Sequence, residues 1–331
     1  MFRSKITGLG FFVPDNIVSN DDLSKLMETS DDWISERTGI KNRRWVGDKK
    51  LTTSLMGTYA AENAIADAGI DKNDIDFIIF STLSPDYYFP GSGVLLQRNL
   101  GIKEIGALDV RNQCSGFIYG LSIADQYIKS GMYKNILLVG SEIHSGGLDK
   151  STKGRSVSVI FGDGAGAAVI SSTNSENGIL STHLHSEGKY AEELAVIKPA
   201  TTHWIDKIKS DQNDESYWPY MNGNFVFKNA VVRFEQVIKE GLEYSNLNID
   251  DISLLIPHQA NLRISQFIQK KLKLSDSQVF NNIMKYGNTT AASIPIALTE
   301  AYQSNLIKKN DIIVLAAFGS GFTWGSAVIK W

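Results

Sequence analysis

The chain has 331 residues, 43% hydrophobic and 21% charged, with 33 basic and 36 acidic side chains and a net charge of −3. This is enough apolar material for a large core, either two domains or one built from two layers, and there is no basic excess of the kind that marks nucleic-acid binding. No run of about eighteen apolar residues suggests a membrane span, and one cysteine cannot form an internal disulfide, so a reducing compartment, the cytoplasm, is the expected home.

The chain opens with "MFRSKITGLGFFVPDN". Its apolar stretch is short, broken by Gly8 and Gly10 and followed by Pro14, and it reads as a first strand and turn rather than a signal peptide. β-branched and aromatic runs predict strands at 76–84 ("DFIIFSTLS") and 105–110 ("IGALDV"). Helical spacing runs through "GFIYGLSIADQYIKSG" (116–131) to a terminal glycine, and buried strands follow at 135–141 and 164–172. The segment "GDGAGAA" leads into a strand rather than a helix, which rejects a dinucleotide-binding loop.

The second half repeats this order. "DISLLIPHQA" (251–260) matches the 76–84 strand and its exit. "KYGNTTAASIPIALTEAYQSNLI" (285–307) matches the segment from Cys114 through its helix. "NDIIVLAAFGSG" (310–321) and "TWGSAVIKW" (323–331) match the last two strands. Thirty residues separate Ser84 from Cys114, and thirty separate His258 from Asn288. Agreement of order and spacing predicts a duplicated α/β fold, with halves at 1–175 and 176–331. It also predicts that Cys114 and Asn288 lie at equivalent helix starts and His258 at a strand exit, where sites collect in layered α/β domains.

Cys114 alone would be read as a small core residue. Its position between a strand and a helix start gives it a second reading, because the positive end of the helix dipole and free N–H groups favour a thiolate. His258 follows Pro257 at the mouth of a sheet, and Gln259 is expected to open the next helix. Asn288, in "KYGNTTAAS", reads locally as a turn or cap. His144, His183, His185 and His203 have no metal-ligand spacing with the cysteine, and His183 and His185 are taken as surface or pocket residues.

The stretches "CSGF" (114–117), "PHQANLRI" (257–264), "YGNTTAASIP" (286–295) and "GFTWGSAVIKW" (321–331) together resemble a β-ketoacyl-acyl-carrier-protein synthase III. "DDWISERTGI" (31–40) and "FGDGAGAAV" (161–169) extend the resemblance over essentially the whole chain. It implies a thiolase-like fold, two duplicated βαβαβαββ halves in a layered αβαβα arrangement. It implies that Cys114 takes an acyl group from acyl-coenzyme A, and that the acyl-cysteine is condensed with decarboxylated malonyl-acyl-carrier protein. His258 and Asn288 would donate to the enolate oxygen; the N–H groups of Cys114 and Ser320 would form a second oxyanion hole. By the same resemblance Trp33, Arg37 and Arg155 would hold the adenine end of coenzyme A, and Asn224 would line the pantetheine tunnel. Arg263, Lys270 and Lys271, on one helix face, would dock the acidic carrier protein. Phe89, in the apolar loop "DYYFPGSG" (86–93), would close the partner's acyl pocket in a homodimer. No metal or resident cofactor is implied, since coenzyme A arrives as the thioester substrate.

Two stretches depart from the family pattern. "VRNQC" carries Arg111, Asn112 and Gln113 where small apolar residues are usual, and 202–223 is long and aromatic. Both are expected to shape the acyl pocket, which leaves longer or branched primers, or a specialised pathway, as the alternative. Papain-like proteases place their cysteine near the mature N-terminus and usually carry disulfides, unlike this chain. Degradative thiolases need a second cysteine, and a silent thiolase-fold partner subunit would normally lack one of the three residues.

Overall fold

In the computed structural model, which describes residues 3–48, 50–198, 200 and 214–331, the apolar runs gather into two sheets joined through a shared helical layer. The first sheet has β1 (Arg3–Phe12), β2 (Phe77–Ser81), β3 (Gly106–Val110), β4 (Asn135–Glu142) and β5 (Gly164–Thr173), in the order β1-β5-β4-β2-β3. The second has β6 (Gly178–Ser186), β7 (Leu254–Pro257), β8 (Ile312–Gly319) and β9 (Thr323–Lys330), in the order β7-β8-β9-β6. Each sheet has a central parallel pair, β2 with β4 and β7 with β8; β3 also runs parallel to β2, and the remaining pairs are antiparallel. The strand beside β2, β3, has only a remnant in the second sheet: a single parallel bridge from Val279 to Leu255. Both β2 and β4 are buried along nearly their whole length, as strands covered on both faces are.

Helices supply the covers. Numbered along the chain they are α1 (Asp31–Thr38), α2 (Thr53–Ala68), α3 (Ser92–Leu100), α4 (Gly116–Lys129), α5 (Gly223–Tyr244), α6 (Leu262–Leu272) and α7 (Ser293–Gln303). The central layer is α4 and α7: Phe117, Leu121, Leu298 and Ala301 pack in one cluster with Ile79 and Leu138 of one sheet and Ile256 and Leu315 of the other. Met56 and Leu96 of α2 and α3 cover the outer face of the first sheet; Phe234 and Ile268 of α5 and α6 cover that of the second. Five layers result, α-β-α-β-α, as the resemblance implied.

One interval relates the halves. It separates Phe77 from Leu254, Gly116 from Ser293 and Asn135 from Ile312, 177 residues in each case. A short 3-10 turn precedes each central helix, Gln113–Ser115 and Thr290–Ala292, and each opens on a residue with positive φ, Gln113 at 42° and Thr290 at 51°. The structural counterpart of Cys114 is therefore Ala291, not Asn288. The equal thirty-residue spacings arise differently. The second half carries extra chain between its remnant fifth strand and its central helix, including the helical turn Ile283–Tyr286, and Asn288 lies in that extra chain.

Two other expectations shift. Gln259 does not open a helix: α6 starts at Leu262, capped by the Asn261 side chain, which accepts from Arg263 N–H at 2.9 Å. Gln259 is buried, its Oε1 accepting from Asn282 and Ile283 N–H at 3.0 and 3.2 Å. His183 and His185 share Glu240 of α5, at 3.3 and 2.6 Å, and His185 stacks on Trp324, so both tie β6 to its covering helix. His203 lies outside the described residues, as does much of the 202–223 stretch; the rest of it includes Tyr220–Met221, which pairs with Leu194–Ala195.

Candidate active site

The carboxyl ends of β2, β4, β7 and β8 face the starts of α4 and α7. Cys114 sits in the 3-10 turn ahead of α4 and is buried. The groups beside its sulfur that favour the thiolate are its own N–H, that of Ser320 and the Thr290 side chain. Ser320 reaches it because Gly319 ends β8 against the cysteine. A Cβ on Gly319 would stand 2.5 Å from Cys114 Cβ and 2.9 Å from its sulfur, closer than any side chain allows.

His258 follows β7. Its N–H donates to Ala316 O of β8 at 2.8 Å, and Nδ1 lies 2.5 Å from Ser293 Oγ at the start of α7. Its Nε2 is buried with no hydrogen-bond partner among the described residues. Asn288 bridges to Phe161, donating to Ile160 O at 2.9 Å and accepting from Gly162 N–H at 3.0 Å. Its Oδ1 accepts from Thr290 N–H at 2.8 Å, leaving Nδ2 as the side-chain donor. The same Thr290 thus touches both Asn288 and Cys114, and Ser293, three residues on, holds His258. The structure brings Cys114, His258, Asn288 and the Ser320 amide to one pair of turns.

Burial sets the charge states. It pushes the Cys114 thiol up to about 12, with the charge of Glu142 adding to the shift and the three hydrogen bonds opposing it. The helix start therefore does not make a resting thiolate, because desolvation outweighs it. His258 falls to about 3, through burial and then the neighbouring His144, and is a neutral imidazole.

The outer residues fall into two groups. Arg37 and Arg155 lie over the Trp33 ring, 4.6 and 5.2 Å from its centroid, so the three form one aromatic and cationic edge. Asn224 is exposed in the first turn of α5, near Met221, which packs in the same cluster as Trp33. Arg263, Lys270 and Lys271 are exposed on α6, and Lys271 reaches Glu235 at 3.7 Å. Asn261 Nδ2 donates to Arg37 O at 3.0 Å and so ties the end of α1 to the start of α6. Phe89 is apart from all of these, 79% exposed on its loop.

Residues 108–188 match the family described as 3-Oxoacyl-[acyl-carrier-protein (ACP)] synthase III, and residues 242–331 match its C-terminal counterpart. The beta-ketoacyl-[acyl-carrier-protein] synthase III 1 of Vibrio parahaemolyticus is 45% identical over 99% of both chains, and the synthase III of Caldanaerobacter subterraneus is 44% identical over 98% of this chain and 97% of its own. The crystal structure of 3-oxoacyl-[acyl-carrier-protein] synthase III from Aquifex aeolicus superposes with a TM-score of 0.91 at 41% identity, covering 99% of this chain and 100% of that one. The chain belongs to the β-ketoacyl-acyl-carrier-protein synthase III family. It is a condensing acyltransferase of the thiolase fold.

Four side chains of this synthase III site lay outside the expected set. Thr290 and Ser293 stand in "GNTTAAS", where hydroxyls at a helix start were the available signal. Glu142 ends β4 fully buried, accepting from Ser84 Oγ at 2.7 Å, Thr82 Oγ1 at 3.1 Å, Leu83 N–H and Ala291 N–H. His144, two residues on, lies with Nε2 2.7 Å from Thr290 Oγ1. An acid and an imidazole closing the apolar run "NILLVGSEIH" were legible as anomalies, since a buried ionisable group needs partners.

Proposed function

We propose that this protein starts fatty acid synthesis by condensing an acyl-coenzyme A primer with malonyl-acyl-carrier protein. Cys114 attacks the primer thioester, an acyl-cysteine forms and coenzyme A leaves as its thiol. Malonyl-carrier protein then loses CO₂, and its enolate carbon attacks the acyl-cysteine carbonyl. The products are 3-oxoacyl-carrier protein and the free cysteine. Neutral His258 Nε2 and Asn288 Nδ2 donate to the enolate oxygen, where a carboxylate would repel the charge; the N–H groups of Cys114 and Ser320 hold the tetrahedral oxyanion on sulfur's side. The observation that carries this reading is a buried, unpartnered, neutral imidazole nitrogen at the same pair of turns as a buried cysteine.

The edge of Trp33, Arg37 and Arg155 grips the nucleotide of coenzyme A, Asn224 borders its pantetheine arm, and Arg263, Lys270 and Lys271 receive the acidic carrier protein. The halves, 1–175 and 176–331, divide this work: the first supplies nucleophile and nucleotide edge, the second enolate donors and carrier patch. Tyr87, Tyr88 and Phe89, 54%, 62% and 79% exposed, lie on a loop beside the open edge strand β3, and a homodimer through this edge delivers Phe89 to the partner's acyl pocket. A nucleophile that must stay reduced suits the cytoplasm; among the described residues no helix is long and apolar enough to cross a membrane.

The test is single-turnover labelling with radiolabelled acyl-coenzyme A of graded chain length. Label should reside on Cys114, disappear in Cys114→Ser, and rank the primers. Labelling that persists in the serine variant, or none with any primer, overturns the reading. Light scattering at micromolar concentration should show a dimer; a monodisperse monomer would refute the shared pocket.

A further inference from the structure

We propose that Arg43 and Trp45 are positioning residues for Asn288: they fix the ledge 159–162 from which the Asn288 backbone hangs. This role rests on the reading of Asn288 as a donor to the enolate oxygen. It gives the N-terminal segment a part in condensation as well as in holding coenzyme A.

The ledge is bonded on two sides. Ile17–Ser19 and Asn42–Arg44 pair as a short antiparallel ribbon, and residues 43–46 run along the ledge. Arg43 Nη2 donates to Val159 O at 3.0 Å, and Trp45 Nε1 donates to Phe161 O at 3.1 Å. Asp163 N–H donates to Arg44 O at 2.7 Å, and Val46 N–H donates to Asp163 Oδ2 at 2.7 Å. Asn288 takes what lies between. Its N–H donates to Ile160 O at 2.9 Å and its carbonyl accepts from Gly162 N–H at 3.0 Å. Three consecutive carbonyls thus go to Arg43, to Asn288 and to Trp45, so a shift of either outer bond moves the middle one.

Packing repeats what the bonding shows. Gly287 holds φ at 66°, and a Cβ there would stand 2.7 Å from Ile160 O and 3.3 Å from Arg43 Cβ. A Cβ on Gly162 would stand 3.2 Å from the same Arg43 Cβ. The two glycines beside the Asn288 bridge therefore close directly on the arginine stem. Arg43 and Trp45 are buried, and Arg43 makes no ion pair among the described residues. Burial lowers its guanidinium only to about 10, so it stays a cation at neutral pH. A buried charge without a paired carboxylate is costly. What this one gains is three oxygens: Val159 O, Val18 O at 3.2 Å and Asn20 Oδ1 at 2.7 Å, which a planar fork can reach together and an ammonium cannot. Asn20 Nδ2 goes on to Asp31 Oδ1 at 2.7 Å, in the first turn of α1, the helix of Trp33 and Arg37.

The experiment uses the full-length protein. Condensation is followed in a single turnover from enzyme already acylated with acetyl-coenzyme A, so the coenzyme A edge does not enter the rate, and acylation is measured separately by intact mass. Trp45→Phe keeps a ring and removes the N–H. It should slow condensation about tenfold, less than loss of the donor itself, and leave acylation within about twofold of wild type. Arg43→Lys keeps the charge and loses the fork, and it should slow condensation to a similar extent. In an Asn288→Ala background both substitutions should lose their effect on condensation, because no donor remains to be placed. A tenfold cost that persists in that background, equal slowing of both half-reactions by Trp45→Phe, or its condensing at the wild-type rate would overturn the positioning role. Trp45→Phe decides alone if Arg43→Lys does not fold. Wild-type condensation in Asn288→Ala would instead overturn the donor reading beneath it.

Discussion

The two turns that open the central helices share a backbone and differ in chemistry. Gln113–Ser115 and Thr290–Ala292 are 177 residues apart, each with a left-handed first residue. Under Cys114 lies Gly319, the end of β8; under the counterpart Ala291 lies Glu142, the end of β4, at the same interval. Ser81 and Gly116 of the first half answer to His258 and Ser293 of the second, where a strand-end imidazole meets a helix-start hydroxyl. A symmetric scaffold thus holds one asymmetric site. One strand end is emptied to let an amide approach sulfur; the other is filled by a carboxylate that takes the corresponding N–H.

The hardest test of that asymmetry moves the sulfur across the axis. Cys114→Ala with Ala291→Cys should give no acyl-enzyme at all, because the transplanted sulfur faces Glu142 and lacks the Ser320 amide. Intact mass after incubation with acyl-coenzyme A decides it, and an acyl group on the transplanted sulfur would mean that the turn alone makes the nucleophile. Next in size are the donors. His258→Ala and Asn288→Ala should each cost about 10²–10³ in condensation from acylated enzyme. Both should leave acylation of Cys114 measurable, and a wild-type condensation rate in either would remove the donor pair.

The doubled layering was legible because buried parallel strands and amphipathic helices write their period into the chain; "FIIFS", "NILLVGSE" and "IIVLAAFG" each became a central strand. The positions of Cys114 and His258 at a helix start and a strand exit followed from the same pattern. Equivalence across the halves did not, because residue spacing cannot tell inserted chain from aligned chain, and Asn288 lies in an insertion. Glu142 and His144 stand out as polar ends of an apolar run, but their place at the site depends on Thr290 and Ala291, nearly 150 residues away, and no local pattern encodes that meeting. Likewise the thiol's charge state depends on how deeply the turn is buried, which the helix start alone does not reveal.

The two exposed cationic groups allow a milder comparison between halves. Arg263→Glu should raise the apparent KM for malonyl-carrier protein about tenfold, the scale of one reversed contact in an electrostatic docking patch. It should spare acylation by acyl-coenzyme A. Arg37→Glu should do the reverse. Added salt should weaken the carrier half-reaction of wild type more than that of Arg263→Glu, since exposed charges are screened beyond roughly 8 Å at physiological ionic strength. Equal damage to both half-reactions by either variant would show that the two patches are not separate.

The smallest effect concerns the filled strand end. Burial raises the Glu142 carboxyl to about 7, although Ser84, Leu83, Thr82 and Ala291 all donate to it. Its folded-state value therefore lies above its ordinary one of 4.5, and the folded protein binds the proton more tightly than the unfolded chain. Between those two values stability falls as pH rises, by at most about 3 kcal/mol for a shift of this size, and above pH 7 the loss is complete. Glu142→Gln removes the titration while keeping shape and most acceptors. The thermal midpoint of the variant minus that of wild type should therefore climb by several degrees from pH 5 to pH 8. Gly319, the counterpart, has nothing to titrate, so no second step should appear in the difference. A difference that stays level across that range would mean that the four donors hold Glu142 ionised throughout, and that the carboxylate under Ala291 is a fixed charge.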